Sequence, residues 1–450
     1  MRAWLSRPVD AISLTWARVT LGLILSWEAV RYAYHGRIHA YYIEPGFTFP
    51  YFGFGWVQPL PGDWMVAVFG LIFIAGICVA LGLVYRLASV LLFVSLSYVF
   101  LLDEAQYLNH IYLCCLLCFL LCFLPANRAH ALDTRLGLSA PAPVVPAWTL
   151  ALLRWQVGLV YFWGGVAKLN GDWLSAMPLL DWMEARRGMA VVGPLLAWDP
   201  TAWLMSYAGL LLDLLLFPLL SWRRSRPYAL AAAILFHVLN AAIFTIGIFP
   251  FLMVAWTLLF LEPAQLRGLL RRPQLPSLPA VRPLSSAGVV LLGLWLAVQM
   301  ALPLRHWAYP GDVAWTEEGH RFSWRMKLRS KQSNASFVAR DVDTGQEWKI
   351  RPTDLLTRRQ ARKMSTRPDM IVLFAHHIEA QLRARGHREV EVRALVMASL
   401  NGRKKQLLID PDVDLTQEER VLWPAASWIV PLSRALHPGD RRSHANSGGQ

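Results

Sequence analysis

The chain has 450 residues, is 55% hydrophobic with 21 Trp, and carries a net charge of +14. Together with a mean hydropathy of +0.36, that much apolar surface excludes a single water-soluble globule and points to a multi-pass membrane protein. The basic balance argues for topology signals and anionic lipid headgroups rather than nucleic acid, because the arginines gather in short loops between apolar segments and in the C-terminal third, with no recognition module beside them.

The first apolar segment, 11–33, has no small-residue cleavage site after it, so it reads as a span and not as a secretory signal. Residues 41–62 are rich in aromatics, Gly and Pro. That composition breaks helices and suits an interfacial loop that could also wall an apolar pocket. Further spans are predicted at 63–84, 87–102, 107–124, 146–168, 200–222, 227–247, 249–262 and 285–304. The eighth is short, which leaves re-entry or merger with the seventh open, so the bundle has eight or nine crossings.

Asn109 and His110 open the fourth span. A histidine there can act as acid, base or hydrogen-bond donor, or be a satisfied structural group. The same span holds Cys114, Cys115, Cys118 and Cys122, which with Cys78 complete the five cysteines. Carboxylates are absent near them, so they read as small buried hydrophobes and no metal site is expected. Lys168 ends the fifth span after about twenty mostly apolar residues. Burial there favours the neutral amine, which can serve as a base. The competing reading is a lysine that snorkels to the interface. Asp213 lies within the sixth span. His237 and Asn240, at i, i+3 in the seventh, face one side and line either a cavity or a helix contact.

After Pro303 the composition turns charged. Alternating runs at 334–341, 346–351, 389–397 and 406–409 predict strands, with Thr344-Gly345 and Asn401-Gly402 as turn signals. Residues 353–385 read as helical. The fold class expected is therefore an α-helical multi-pass membrane bundle over 1–304, a β-containing extracytoplasmic domain over 305–436, and a disordered polar tail at 437–450. Placing Arg2 and Arg7 in the cytoplasm puts Arg86, Arg128, Arg135, Arg223, Arg224, Arg226, Arg267, Arg271, Arg272 and Arg282 inside as well, with Arg186 and Arg187 as exceptions. Asp103, His110, Lys168 and Asn401 then lie on the outer side of a cell (inner) membrane.

Several blocks resemble one family in the right order. They are Arg7-Pro-Val-Asp10, Leu108-Asn109-His110, Val160 to Leu169 with Asp172-Trp173, Phe236-His237 with Asn240, Phe244 with Ile246-Gly247-Ile248-Phe249, Phe322-Ser323-Trp324, and Ile409 to Asp414 followed by Trp428. The chain resembles the vitamin K-dependent gamma-glutamyl carboxylases and their bacterial relatives, which share the horizontally transferred transmembrane (HTTM) domain. The resemblance implies a membrane enzyme that converts peptide glutamate to gamma-carboxyglutamate with O2 and CO2. Vitamin K hydroquinone or menaquinol is epoxidised in the same cycle, and no metal takes part. It gives Lys168 the role of initiating base and His110 that of assisting oxygenation. Asn109 would hydrogen-bond the quinone, Trp324 would wall the site, and His237 and Asn240 are further candidates for holding the cofactor. Membrane lipid and a glutamate-containing peptide or protein are the expected partners. The alternative is a non-carboxylating protein of the same fold that binds or epoxidises a quinone or lipid. Two departures from the eukaryotic pattern stand out. The C-terminal region has no cysteine, and the histidine that the eukaryotic pattern has near Arg329 is missing from the run Arg325 to Lys331.

Overall fold

The structure is a computed structural model that describes residues 2–190, 192–244 and 246–433. The expected tail at 437–450 lies outside the described residues. The described chain is mostly helical with a sheet-containing C-terminal region, and it divides into two compact units. The first holds Met1–Glu44, Pro50–Trp163 and Leu211–Ala301. The second holds Pro45–Phe49, Gly164–Leu210 and the chain from Leu302 onward.

Four helices among the described residues are long and apolar enough to cross a membrane: Trp64–Leu81, Asp199–Ser221, Arg226–Ile243 and Ser286–Ala308. Tyr85–Leu101, Asn109–Phe123 and Phe249–Phe260 are shorter apolar helices. Ile12–Tyr34 has 23 residues but carries Arg18, Glu28 and Arg31, and Ala147–Val166 carries Arg154.

In the first unit, α1 (Ile12–Tyr34) and α2 (Trp64–Leu81) approach through glycine. A Cβ at Gly22 would stand 2.4 Å from the Gly76 carbonyl oxygen, and one at Gly76 would stand 2.4 Å from Ser26 Oγ. Small residues at a helix crossing let backbones come close enough for many weak contacts to add up. Ser26 Oγ also donates to the Phe73 carbonyl at 3.0 Å.

Two arginines counted as loop charges do more than set topology. Arg267 is buried and paired with Asp10, its Nη2 donating to Oδ1 at 3.1 Å. Arg226 is buried too, bonded to Glu262 at 2.6 Å and to the Leu220 carbonyl at 2.9 Å. Strands β1 (Pro8–Asp10) and β2 (Val144–Pro146) pair antiparallel, so the Arg7-Pro-Val-Asp10 block serves as a short staple. The five cysteines are free thiols, with Cys114, Cys115 and Cys118 buried.

The second unit holds an antiparallel sheet built from β3 (Lys331–Asp341), β4 (Glu347–Ile350), β5 (Val390–Leu400) and β6 (Gln406–Leu407), in the order β4-β3-β5-β6. Val390, Val392, Ala394, Val396, Ala398 and Leu400 are buried on one face, as a period of two requires. Helix α3 (Pro368–Ala384) covers that face, and Phe374 meets Phe337 edge-on at 4.9 Å. The predicted turns form where positive φ is needed: Gly345 at +72° and Asn401-Gly402 at +50° and +80°. Asp414 accepts the Val392 N–H at 3.0 Å, so the Ile409 to Asp414 block ties the C-terminal loop to β5.

Candidate functional site

In the first unit, a narrow, partly open pocket is walled by Leu25, Tyr32, Phe69, Phe100 and Ile111, with Glu28 and Gln106 as polar members. Glu28 is locked to Arg31, whose Nε donates to Oε2 at 2.7 Å and Nη2 to Oε1 at 2.6 Å. Gln106 donates to Asp103 at 3.3 Å, and Asp103 also accepts the Ala105 N–H at 2.8 Å. Asp103 and Glu104 are therefore buried structural groups and not a charged surface patch. His110 is 8% exposed, and its Nε2 is buried with no hydrogen-bond partner among the described residues. Its ring lies 6.2 Å from Phe249, and His237 meets the same Phe249 edge-on at 5.9 Å. The structure thus gathers His110 and His237 around one phenyl ring.

The other polar candidates of this unit have local hydrogen-bond partners. His237 Nε2 bonds the Tyr161 hydroxyl at 2.6 Å, and that hydroxyl also meets Thr257 at 3.0 Å. Asn240 bonds the Phe236 carbonyl of its own helix, and Asn109 Oδ1 accepts from the Tyr107 hydroxyl at 2.9 Å. His237 Nδ1 is buried without a partner among the described residues.

Lys168 belongs to the second unit. It sits just past the helix end at Val166, and its N–H bonds the Gly165 carbonyl at 2.9 Å. The residue is 7% exposed. Its Nζ donates to the Gly164 carbonyl at 3.2 Å and lies 5.4 Å from the Trp173 ring centroid. Trp173 is itself fixed: its Nε1 donates to the Ser206 carbonyl at 3.0 Å, and Ser206 Oγ donates back to the Trp173 carbonyl at 2.6 Å. Asp172 accepts two bonds from Arg403, at 2.6 and 2.7 Å, and one from Asn401 at 2.7 Å. Asn401, expected on an aqueous turn, is 1% exposed for this reason.

A third constellation, also in the second unit, surrounds Trp324. The segment 317–327 holds Glu317, Phe322, Trp324 and Lys327 at positive φ, which costs energy for residues other than glycine. Glu317 Oε2 accepts from Arg329 at 2.6 Å, with Arg367 at 4.0 Å and Lys331 at 3.9 Å from its carboxylate. Arg329 also donates to His320 Nε2. Arg321 and Arg420 share Asp369. Cations outnumber carboxylates in this buried cluster. Burial, helped by Arg329 and Arg367 against the pull of Glu317, lowers the Lys331 amine to about 7. Burial and the surrounding guanidinium groups hold His320 well below the usual imidazole range. Burial alone would raise Asp369, but Arg321 and Arg420 outweigh it and keep that carboxyl well below the usual carboxylate range.

The HTTM domain matches residues 6–264, more than half of the chain. The lumenal domain of the vitamin K-dependent gamma-carboxylase matches residues 284–435. The chain belongs to the HTTM-containing vitamin K-dependent gamma-carboxylase family. No solved structure matches it.

A member of this carboxylase family needs a place for a quinol, an aromatic ring with two oxygens and an apolar tail. The aromatic and aliphatic walls of the pocket in the first unit have the chemistry that such a ring would meet. Sequence reasoning found His110 but missed the Glu28–Arg31 pair, although two opposite charges at i, i+3 inside an apolar helix were a visible signal. It also missed the basic cluster at 317–331, which was visible only as the flanks of Trp324.

Proposed function

We propose that the protein is an integral membrane gamma-glutamyl carboxylase that adds CO2 to peptide glutamate and couples this to epoxidation of vitamin K hydroquinone or menaquinol. The observation that carries the reading is Lys168. It is a lysine amine buried at the end of an apolar helix, close to one carbonyl and one fixed indole. A lysine amine placed beside a weakly acidic hydroxyl can take its proton. The quinol, when bound, supplies with O2 the strong base needed to remove a proton from the glutamate γ carbon.

The chain's own residues then have distinct tasks. Lys168 takes the first proton. His110 offers Nε2 to the reacting ring, with Asn109, His237 and Asn240 shaping the cofactor site. Water is kept out by the apolar walls, which matters because it would quench a strong base. Trp324 walls the approach of the peptide, and the excess of cations around Glu317 suits a substrate carboxylate. The topology that goes with this reading has eight or nine crossings over 1–304, a cytoplasmic N-terminus, and an extracytoplasmic domain over 305–436 in a cell (inner) membrane.

The test incubates purified protein with a glutamate peptide, reduced quinone, O2 and bicarbonate. The expected product is a peptide heavier by one carboxyl group, formed together with quinone epoxide. Lys168→Ala should form neither, and Lys168→Arg should fail as well, because arginine stays protonated. Epoxide formation at the parental rate by the Arg variant would remove Lys168 as the base. Substitutions at Arg329 should depress carboxylation more than epoxidation, whereas His110→Ala should depress both.

A further inference from the structure

An ion pair inside an apolar helix is expensive. Neither Glu28 nor Arg31 gains much from folding, because desolvating two charges offsets most of their attraction. Ionisable groups at such places generally serve a ligand or pathway. The geometry says which. Glu28 engages Arg31 through Nε and Nη2, which pins the guanidinium plane and leaves its Nη1 edge and the second Nη2 hydrogen for another acceptor. The next element to reach this place is the turn at Gly247, whose φ is +61°. A Cβ on Gly247 would lie 3.3 Å from Arg31 Nη2 and 3.6 Å from His110 Nε2. Glycine therefore lets this turn pack closely against both nitrogens, which lie near one another at its backbone. Glu28, which holds Arg31, is also part of the wall of the aromatic pocket.

We propose that Arg31, held in place by Glu28, is the residue that binds the negatively charged ring oxygen of a deprotonated aromatic diol in the cavity of the first unit. This rests on the quinol reading above and deepens it. A fixed guanidinium favours an anionic oxygen over a neutral hydroxyl, because the N–H bonds are charge-assisted only with the anion. Arg31 and His110 would meet the ring together, His110 through a neutral or donor nitrogen and Arg31 through its charge. Glu28 is a positioning residue: without it the guanidinium would lose its orientation and its neutralising partner in the resting state.

The test uses the full-length protein in micelles under argon, with 2-methyl-1,4-naphthoquinol and its 1,4-dimethoxy analogue as probes. Because Arg31→Gln alone would strand a buried carboxylate, the informative variant is Glu28→Gln with Arg31→Gln, which keeps the net charge and leaves both positions polar. The parent should bind the quinol with the absorbance band of its anionic form. The double variant should lose that band and bind the quinol about tenfold more weakly, while its affinity for the dimethoxy analogue stays as in the parent. Retention of the band with unchanged quinol affinity would overturn the proposal, and so would an equal loss for both probes, which would mean the pair only supports the fold. The epoxidation assay separates the two layers. A parent that shows the band but makes no epoxide in O2 removes the catalytic reading and leaves the anion site. A parent that makes epoxide, with a double variant that keeps the band, removes the anion site alone.

Discussion

The clamp between Asp172 and Arg403 joins two segments 231 residues apart, four residues beyond Lys168. Its energetics can be worked from the geometry. The side chains are 14% and 9% exposed, and the contact is bidentate, with Asn401 as a third donor. Removing one partner of a buried pair costs about 3–5 kcal/mol, chiefly because the other charge is stranded. The small residual exposure puts Asp172→Ala near the lower end, at about 3 kcal/mol, since it strands a guanidinium. Arg403→Ala should cost about 2 kcal/mol, since the Asn401 amide still serves the carboxylate. The double variant strands no charge and leaves only the Asn401 amide without its acceptor. It should cost about as much as Asp172→Ala alone, which leaves a coupling energy of about 2 kcal/mol. The assay is equilibrium unfolding of the micelle-solubilised protein followed by tryptophan fluorescence, in a complete double-mutant cycle. Additive single-variant costs, with coupling below about 0.5 kcal/mol, would refute the clamp.

Three further outcomes are expected. Lys331 has its folded value lowered to about 7 from an ordinary 10.5, so between those values the unfolded chain holds a proton that the folded chain has released. Stability should therefore rise with pH across that window and fall again as pH drops towards 7, and Lys331→Met should flatten the slope of unfolding midpoint against pH. Gly22→Val sets a Cβ against the backbone of α2, 2.4 Å from the Gly76 oxygen and 2.7 Å from the Ala80 nitrogen. It should cost about 1–3 kcal/mol, and an unchanged thermal midpoint would show that α1 and α2 do not cross there. The exposed turn at Asp343 is the place for a topology label: Asp343→Cys should react with a membrane-impermeant thiol reagent in intact cells, above the background of the unaltered chain, and reaction only after lysis would invert the proposed orientation.

The helical and strand segments were legible because burial writes a period into the chain. Long apolar runs announced most helices. Alternation at 389–397 announced β5, and Asn401-Gly402 announced its turn, since few residues tolerate positive φ. Lys168 and His110 stood out for a related reason, as ionisable groups where the surrounding residues repel charge. The membrane character and the family followed from the residue pattern alone. What the pattern could not carry is partnership, because a hydrogen bond leaves no mark on the spacing of either partner. Nothing in the order of residues says that Asp172 meets Arg403 or that Asn401 is drawn inward by both Asp172 and the Ser330 N–H. The same holds for Arg267, which reads as a loop charge until Asp10 arrives from the other end of the unit. The tertiary structure alone set Arg31 and His110 on either side of Gly247, and gathered the cations of 321–331 and Arg367 around Glu317. Local sequence decides whether a segment is helix or strand, since that depends on neighbours a few residues away. Electrostatic contacts form between groups distant in the chain, and only the folded backbone brings them within reach.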